Sequence, residues 1–187
     1  MSNALYDQAR SLLDQKQFSE ALRIYEDFAN RGDMQCQVFS GWMTYEGLGT
    51  PKNVERAFIW FQKAADKGSS EGAFYCGKML VTQGRYAEAD SWFSNAARTN
   101  FGPAVLWMGL LRTRGLIADS DFAAGLSYLR EAVRLGNLPA QRELVQLMLT
   151  GRFGITGILR GIALFPTILV RGFMEARRTG PSPNLQS

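Results

Sequence analysis

The sequence predicts an all-α protein, a right-handed α-α superhelix of about five antiparallel helix pairs, on three observations. An apolar pattern at helical spacing recurs four times. Each copy ends, at a fixed distance, on a glycine or asparagine. A second pattern, of small residues, precedes each copy. Internal periods of about 20 to 50 residues mark arrays in which each unit buries its apolar face only against its neighbours.

The first pattern is clearest in "ERAFIWFQKAADKG". Counting from Ala57, aromatic residues fall at +3 and +4 (Trp60, Phe61), small residues at +7 and +8 (Ala64, Ala65) and a glycine at +11 (Gly68). The same offsets from Ala21 give Ile24, Tyr25, Phe28, Ala29 and Gly32. From Ala89 they give Trp92, Phe93, Ala96, Ala97 and Asn100, and from Gly125 they give Tyr128, Leu129, Ala132, Val133 and Gly136. These offsets share one face of an α-helix, and glycine or asparagine just beyond the end suits a left-handed C-terminal cap.

The helix before each of these, helix A of a pair whose second member is helix B, carries small residues at 0 and +5 around a small or apolar +4. The sets are Cys36, Ser40, Gly41; Gly72, Cys76, Gly77; and Ala104, Met108, Gly109. Ala140, Leu144 and Val145 fit loosely. Upstream, Ala4 and Ala9 flank the polar Gln8, which a first helix with no preceding unit tolerates. Small residues at these spacings let two antiparallel helices approach closely. Pro103 and Pro139 stand where proline is accepted, in a first helical turn.

From the +5 residue to the start of helix B the interval is 12 residues in the first and third pairs and 16 in the second and fourth, so the second and fourth turns are longer. The units predicted are 4–32, 33–68, 69–100, 101–136 and 137–172, an array within 1–178 followed by a disordered tail at 179–187. The unit at 36–68 resembles the Sel-one-like repeat, a cousin of the tetratricopeptide repeat. Gly41, Tyr45, Gly47, Gly49, Ala57, Trp60, Phe61, Lys63, Ala64, Ala65 and Gly68 all stand where that family places them. The third unit lacks the long turn and looks more like a plain tetratricopeptide unit. The resemblance implies a non-catalytic adaptor for multiprotein complexes, in bacteria often around envelope or exopolysaccharide machinery.

Such an array offers a concave wall lined by the A helices. Helix A uses offsets 0, 1, 4, 5 and 8 for its core, so +3 and +6 face away. The +3 residues include Phe39, Tyr75 and Trp107; the +6 residues include Arg10, Trp42 and Lys78. An aromatic column with charged ends is either a groove for a protein or peptide or a set of rings buried between adjacent A helices.

Other function classes find little support. The chain has no histidine, which removes histidine-based acid, base and metal chemistry. Cys36 and Cys76 lie in different units at packing offsets and read as small core residues in a reducing compartment. The glycines of "GRFGITGILRG" lack the lysine and serine or threonine of a phosphate loop. No catalytic residue, metal or cofactor is expected. Acidic residues at Asp7 and Asp14 interrupt the N-terminal segment where a signal peptide needs an apolar run, which places the protein on the cytoplasmic side. The net charge of +4 lies entirely within residues 142–187, as arginine. These arginines are little clustered and not interleaved with the aromatic column, a poor pattern for nucleic acid.

The most apolar run, "GIALFPTILVRG", obeys the same spacing. Sixteen residues after Val145 stands Gly161, and Leu164, Phe165, Ile168, Leu169 and Gly172 fill the helix B offsets. Pro166 should kink that helix. The ten uncharged residues between Arg160 and Arg171 are too few for a transmembrane helix, which needs about 20. Ile158, Arg160, Ile162, Phe165, Ile168, Val170 and Arg171 are instead expected to form a docking surface. It would serve the inner-membrane surface, a membrane protein or a second copy of the chain, unless it is only a covered terminal cap.

Overall fold

The computed structural model describes residues 3–118 and 120–150, together with Thr156, Leu159, Ile162 and Ala163. Among these residues the structure is entirely helical, with nine helices. They fall into two compact units, Met1–Thr99 and Asn100–Ser187. The first holds three antiparallel pairs, α1 (Asn3–Asp14) with α2 (Phe18–Asn30), α3 (Met34–Glu46) with α4 (Val54–Asp66), and α5 (Ser70–Thr82) with α6 (Tyr86–Ala97). The second holds α7 (Gly102–Thr113) with α8 (Phe122–Arg134), and α8 packs in turn on α9 (Leu138–Leu149).

Each turn follows from local chemistry. Three residues separate α1 from α2 and α5 from α6, whereas seven separate α3 from α4 and eight separate α7 from α8. The terminal residues anticipated from the sequence adopt the left-handed conformation, with φ of 94° at Gly32, 91° at Gly68, 58° at Asn100 and 82° at Gly136. At Gly32 the turn is a Schellman motif, in which the amide of Gly32 donates to the Ala29 carbonyl and that of Asp33 to the Phe28 carbonyl. Asp33 then starts the next helix, because its carboxylate accepts from the amide of Cys36. Ser69 and Asn137 do the same for α5 and α9. One residue thereby closes one helix with its backbone and opens the next with its side chain, a cap worth about 1 kcal/mol.

The packing rule is equally regular. A Cβ added to Gly41 would lie 2.8 Å from the ring of Phe61, one on Gly77 would lie 2.6 Å from Phe93, and one on Gly109 would lie 2.8 Å from Leu129. The +5 residue of helix A therefore receives the +4 side chain of its own helix B. Phe61, Phe93 and Leu129 are all fully buried. In the first unit the same side chain also meets the next pair. Tyr25 stacks on Phe39 with centroids 4.9 Å apart, and Phe61 stacks on Tyr75 at 4.6 Å.

Helix A is buried more widely than its core pattern implies. In α3, α5 and α7 the +2 and +7 residues (Val38 and Met43, Phe74 and Met79, Leu106 and Leu111) are buried as well. In α3 and α5 only an arc of roughly 140° around offsets +3 and +6 is left toward solvent, whereas in α7 the +6 residue, Leu110, is buried as well. In α3 and α5 the physical reason is that each touches the helices on both sides of it in sequence, α3 touching α2 and α4, and α5 touching α4 and α6.

Candidate protein-binding face

The residues expected on the A-helix face fall into three groups. Phe39 and Tyr75 are half-buried, since each spends one ring face in stacking on the preceding helix B. Tyr6 of α1 adds an edge-on contact to Phe39, with centroids 6.1 Å apart, and another to Tyr25 at 6.2 Å. The alternatives of groove and core are thus both partly realised: the rings knit adjacent pairs together and keep a residual exposed surface.

Trp42 and Lys78 form the second group. Trp42 is half-buried and bridges two hydrophobic clusters, one built around Tyr25 and Trp60, the other around Phe61 and Met79. The Lys78 ammonium lies 5.7 Å from the centre of the Phe74 ring. Burial lowers the pKa of Lys78, and the nearby Glu46 carboxylate opposes that shift. Arg10, the third member of the +6 set, is exposed on α1. It is close enough to Tyr6 to favour the ionised phenol slightly, although burial dominates and raises that hydroxyl's pKa.

Trp107 belongs to the other unit. It is half-buried on α7, one turn before Leu111 in the core. In the same unit the Arg114 guanidinium reaches Glu143 of α9 at 3.1 Å, so the +3 carboxylate of α9 is already engaged within the fold.

Glu71 was not anticipated as part of this face. It is the second residue of α5, half-buried, one turn before Tyr75. Burial raises its carboxyl pKa, and its charge in turn raises the hydroxyl pKa values of Tyr75 and of Tyr6. Its offset, −1, lies at the centre of the open arc; a reading confined to +3 and +6 passed over it.

Cys36 and Cys76 are both buried, which pushes each thiol up to about 12, and a hydrogen bond with Asp33 adds to the effect at Cys36. A thiol of that pKa is inert at neutral pH. Among the described residues no cluster of three or more potential metal ligands occurs.

Of the C-terminal docking residues, Ile158, Arg160, Phe165, Ile168, Val170 and Arg171 lie outside the described residues. Ile162 is helical and 57% exposed, and its neighbour Leu159 is 61% exposed. Among the described residues no helix is long and apolar enough to cross a membrane.

Paired helices, small-residue contacts between them and left-handed turns at fixed intervals define a tetratricopeptide-like helical-repeat protein. Residues 35–69 and 103–137 match the family model described as Sel1 repeat, so the chain contains two Sel1-like repeats. The two matched segments are the pairs with long turns. Its fold is shared by the Sel1 repeat protein from Oxalobacter formigenes, at 25% identity and a TM-score of 0.71, over 82% of this chain and 64% of that one. It is shared also by c5321, a protective antigen of uropathogenic Escherichia coli with an SLR fold, at 20% identity and a TM-score of 0.70, over 87% of this chain and 38% of that one. The chain therefore spans less than two thirds of the length of either structure. No curated protein matches it in sequence. Repeats of this family generally act as non-catalytic modules for protein–protein interaction.

Proposed function

We propose that this protein is a non-catalytic scaffold that captures another polypeptide on the A-helix face of its Met1–Thr99 unit. The observation that carries the reading is the chemistry of that face. Half-buried Phe39, Trp42 and Tyr75 stand among the charged Glu71 and Lys78, where a surface made only for water would be polar throughout. Aromatic side chains already fixed by stacking lose little entropy on binding, and so suit a contact surface. Trp107 offers a similar half-buried ring in the other unit. By analogy with other repeat proteins of its kind, its task is the assembly of a bacterial envelope or exopolysaccharide complex, from the cytoplasmic side of the inner membrane.

A photo-crosslinking residue placed at Trp42 should trap a discrete partner in cells, whereas the same residue at Ile59, which is 51% exposed on helix B, should not. Equal trapping at both positions, or none at Trp42, would remove the reading.

A second reading rests on the exposed Leu159 and Ile162. It takes the C-terminal apolar segment as a docking surface for the bilayer, a membrane protein or another copy of the chain. Under the bilayer version the full chain floats with anionic liposomes and a chain ending at Thr150 stays at the bottom of the gradient; equal flotation of the two excludes it.

A further inference from the structure

Inside the Met1–Thr99 unit, α3 carries polar side chains where α5 carries apolar ones. At offsets +1, +4 and +8 it has Gln37, Ser40 and Thr44, all buried, whereas α5 has Ala73, Cys76 and Leu80 at the same offsets, also buried. At about 100° per residue the three polar side chains leave α3 within about 60° of one another. Steps of three and four residues make them neighbours along one strip of the helix.

That strip lies where α3 meets α2 and α4. Gln37 reaches α2, its Nε2 donating to the Ala29 carbonyl at 3.1 Å. Gly41, beside Ser40 in sequence, is the place where the Phe61 ring of α4 comes closest, at 2.8 Å from an added Cβ. Trp60 precedes Phe61 on α4 and is only 6% exposed. It packs in one hydrophobic cluster with Ala29 of α2 and with Cys36 and Met43 of α3.

Four buried polar atoms of these side chains have no hydrogen-bond partner within the chain: Gln37 Oε1, Ser40 Oγ, Thr44 Oγ1 and Trp60 Nε1. Among the described residues no other buried side-chain nitrogen or oxygen is in that condition. Buried polar groups left unpaired are costly, so their gathering in one helix pair calls for a partner. The four comprise an N–H donor, an amide acceptor and two hydroxyls able to do either. No charged side chain is among them, so an ion would lack a counter-charge. A neutral molecule that both donates and accepts, with two to four polar neighbours, is water. Ser40 and Thr44 are also shorter than Met108 at +4 of α7 and Leu80 at +8 of α5.

We infer that the junction of α2, α3 and α4 binds ordered water, which accepts from the Trp60 indole N–H, donates to Gln37 Oε1 and exchanges hydrogen bonds with the Ser40 and Thr44 hydroxyls. The second helix pair is thereby joined to the first partly through solvent, where the third pair uses apolar contact alone at the same offsets. This site is independent of the partner-binding face.

The test uses the full chain. A crystal structure at a resolution that shows ordered solvent should place a buried water within about 2.7 to 3.2 Å of at least two of the four atoms. Thr44→Val keeps the shape of the side chain and takes one partner from the water. It should lower the folding equilibrium constant about fivefold in urea denaturation, the usual worth of one hydrogen bond, with circular dichroism confirming that the variant is folded. A dry junction predicts the opposite sign, since valine would then relieve an unpaired hydroxyl. Crystals without water at the junction, or with both hydroxyls turned to the carbonyls of their own helix, overturn the inference. A valine variant as stable as the wild type, or more stable, overturns it too.

Discussion

Replacing Phe61 by alanine should lower the unfolding free energy by about 3 to 5 kcal/mol, the range found when a buried aromatic side chain is truncated in a close-packed core. Phe61 is only 1% exposed. Its ring lies on the bare backbone of α3 at Gly41 and stacks on Tyr75 of α5 at 4.6 Å, so it holds three consecutive helices in register. Neither neighbour can refill the space. Gly41 has no side chain, and Tyr75 is tied to Phe74 through an edge contact at 5.5 Å. Urea denaturation of the full chain, followed by circular dichroism, measures the loss. Truncation of Ile59, two residues away on the outer face of the same helix and 51% exposed, should cost well under 1 kcal/mol by the same measurement, as exposed positions generally do (about 0.5 kcal/mol). Equal costs at the two positions would mean that α4 does not pack as described.

This arrangement shows which part of the architecture could be read from the sequence. Ala57, Phe61, Ala64 and Gly68 announce a helix, its buried face and its end, because a fixed angle of about 100° per residue converts spacing directly into direction. The alternation of short and long turns was legible for the same reason. What lies opposite each face was not. The wheel of α5 places Tyr75 away from the small residues Gly72 and Cys76, but it carries no information about α4, whose Phe61 covers one side of the ring. The stacked pairs Tyr25 with Phe39 and Phe61 with Tyr75 are each fourteen residues apart, a signal visible only when the two repeat patterns are compared with each other rather than read singly. Asp33, Ser69 and Asn137 are each a good N-cap residue three positions before the small residue of its helix A, a signal that apolar spacing does not carry. Glu71 shows the same limit at the candidate site, since the consequence of a charge depends on whether a counter-charge stands beside it in space.

Gly77→Val should destabilise the chain by about 3 kcal/mol, the upper end of the overpacking range. The +5 position of helix A is where two helices come closest, and a Cβ at Gly77 would sit 2.6 Å from one carbon of the Phe93 ring and within 2.9 Å of two others. The ring is fully buried, so it cannot swing into solvent to make room. Alanine brings the same Cβ against the ring and should also destabilise, though less than valine. It adds one carbon, gains about 1 kcal/mol of helix propensity over glycine, and already occupies the matching place in α1 as the buried Ala9, alongside α2 and its Tyr25. Valine adds two further carbons and a branched side chain with few rotamers in a helix, against a ring that has no other place to go. Phe93→Ala in the valine background removes the obstruction, so the double variant should be less unstable than the sum of the two single changes by about 1 to 2 kcal/mol. Denaturation midpoints of the four proteins give that coupling directly. Strict additivity would show that Gly77 and Phe93 do not meet, and that α5 and α6 approach each other somewhere else along their length.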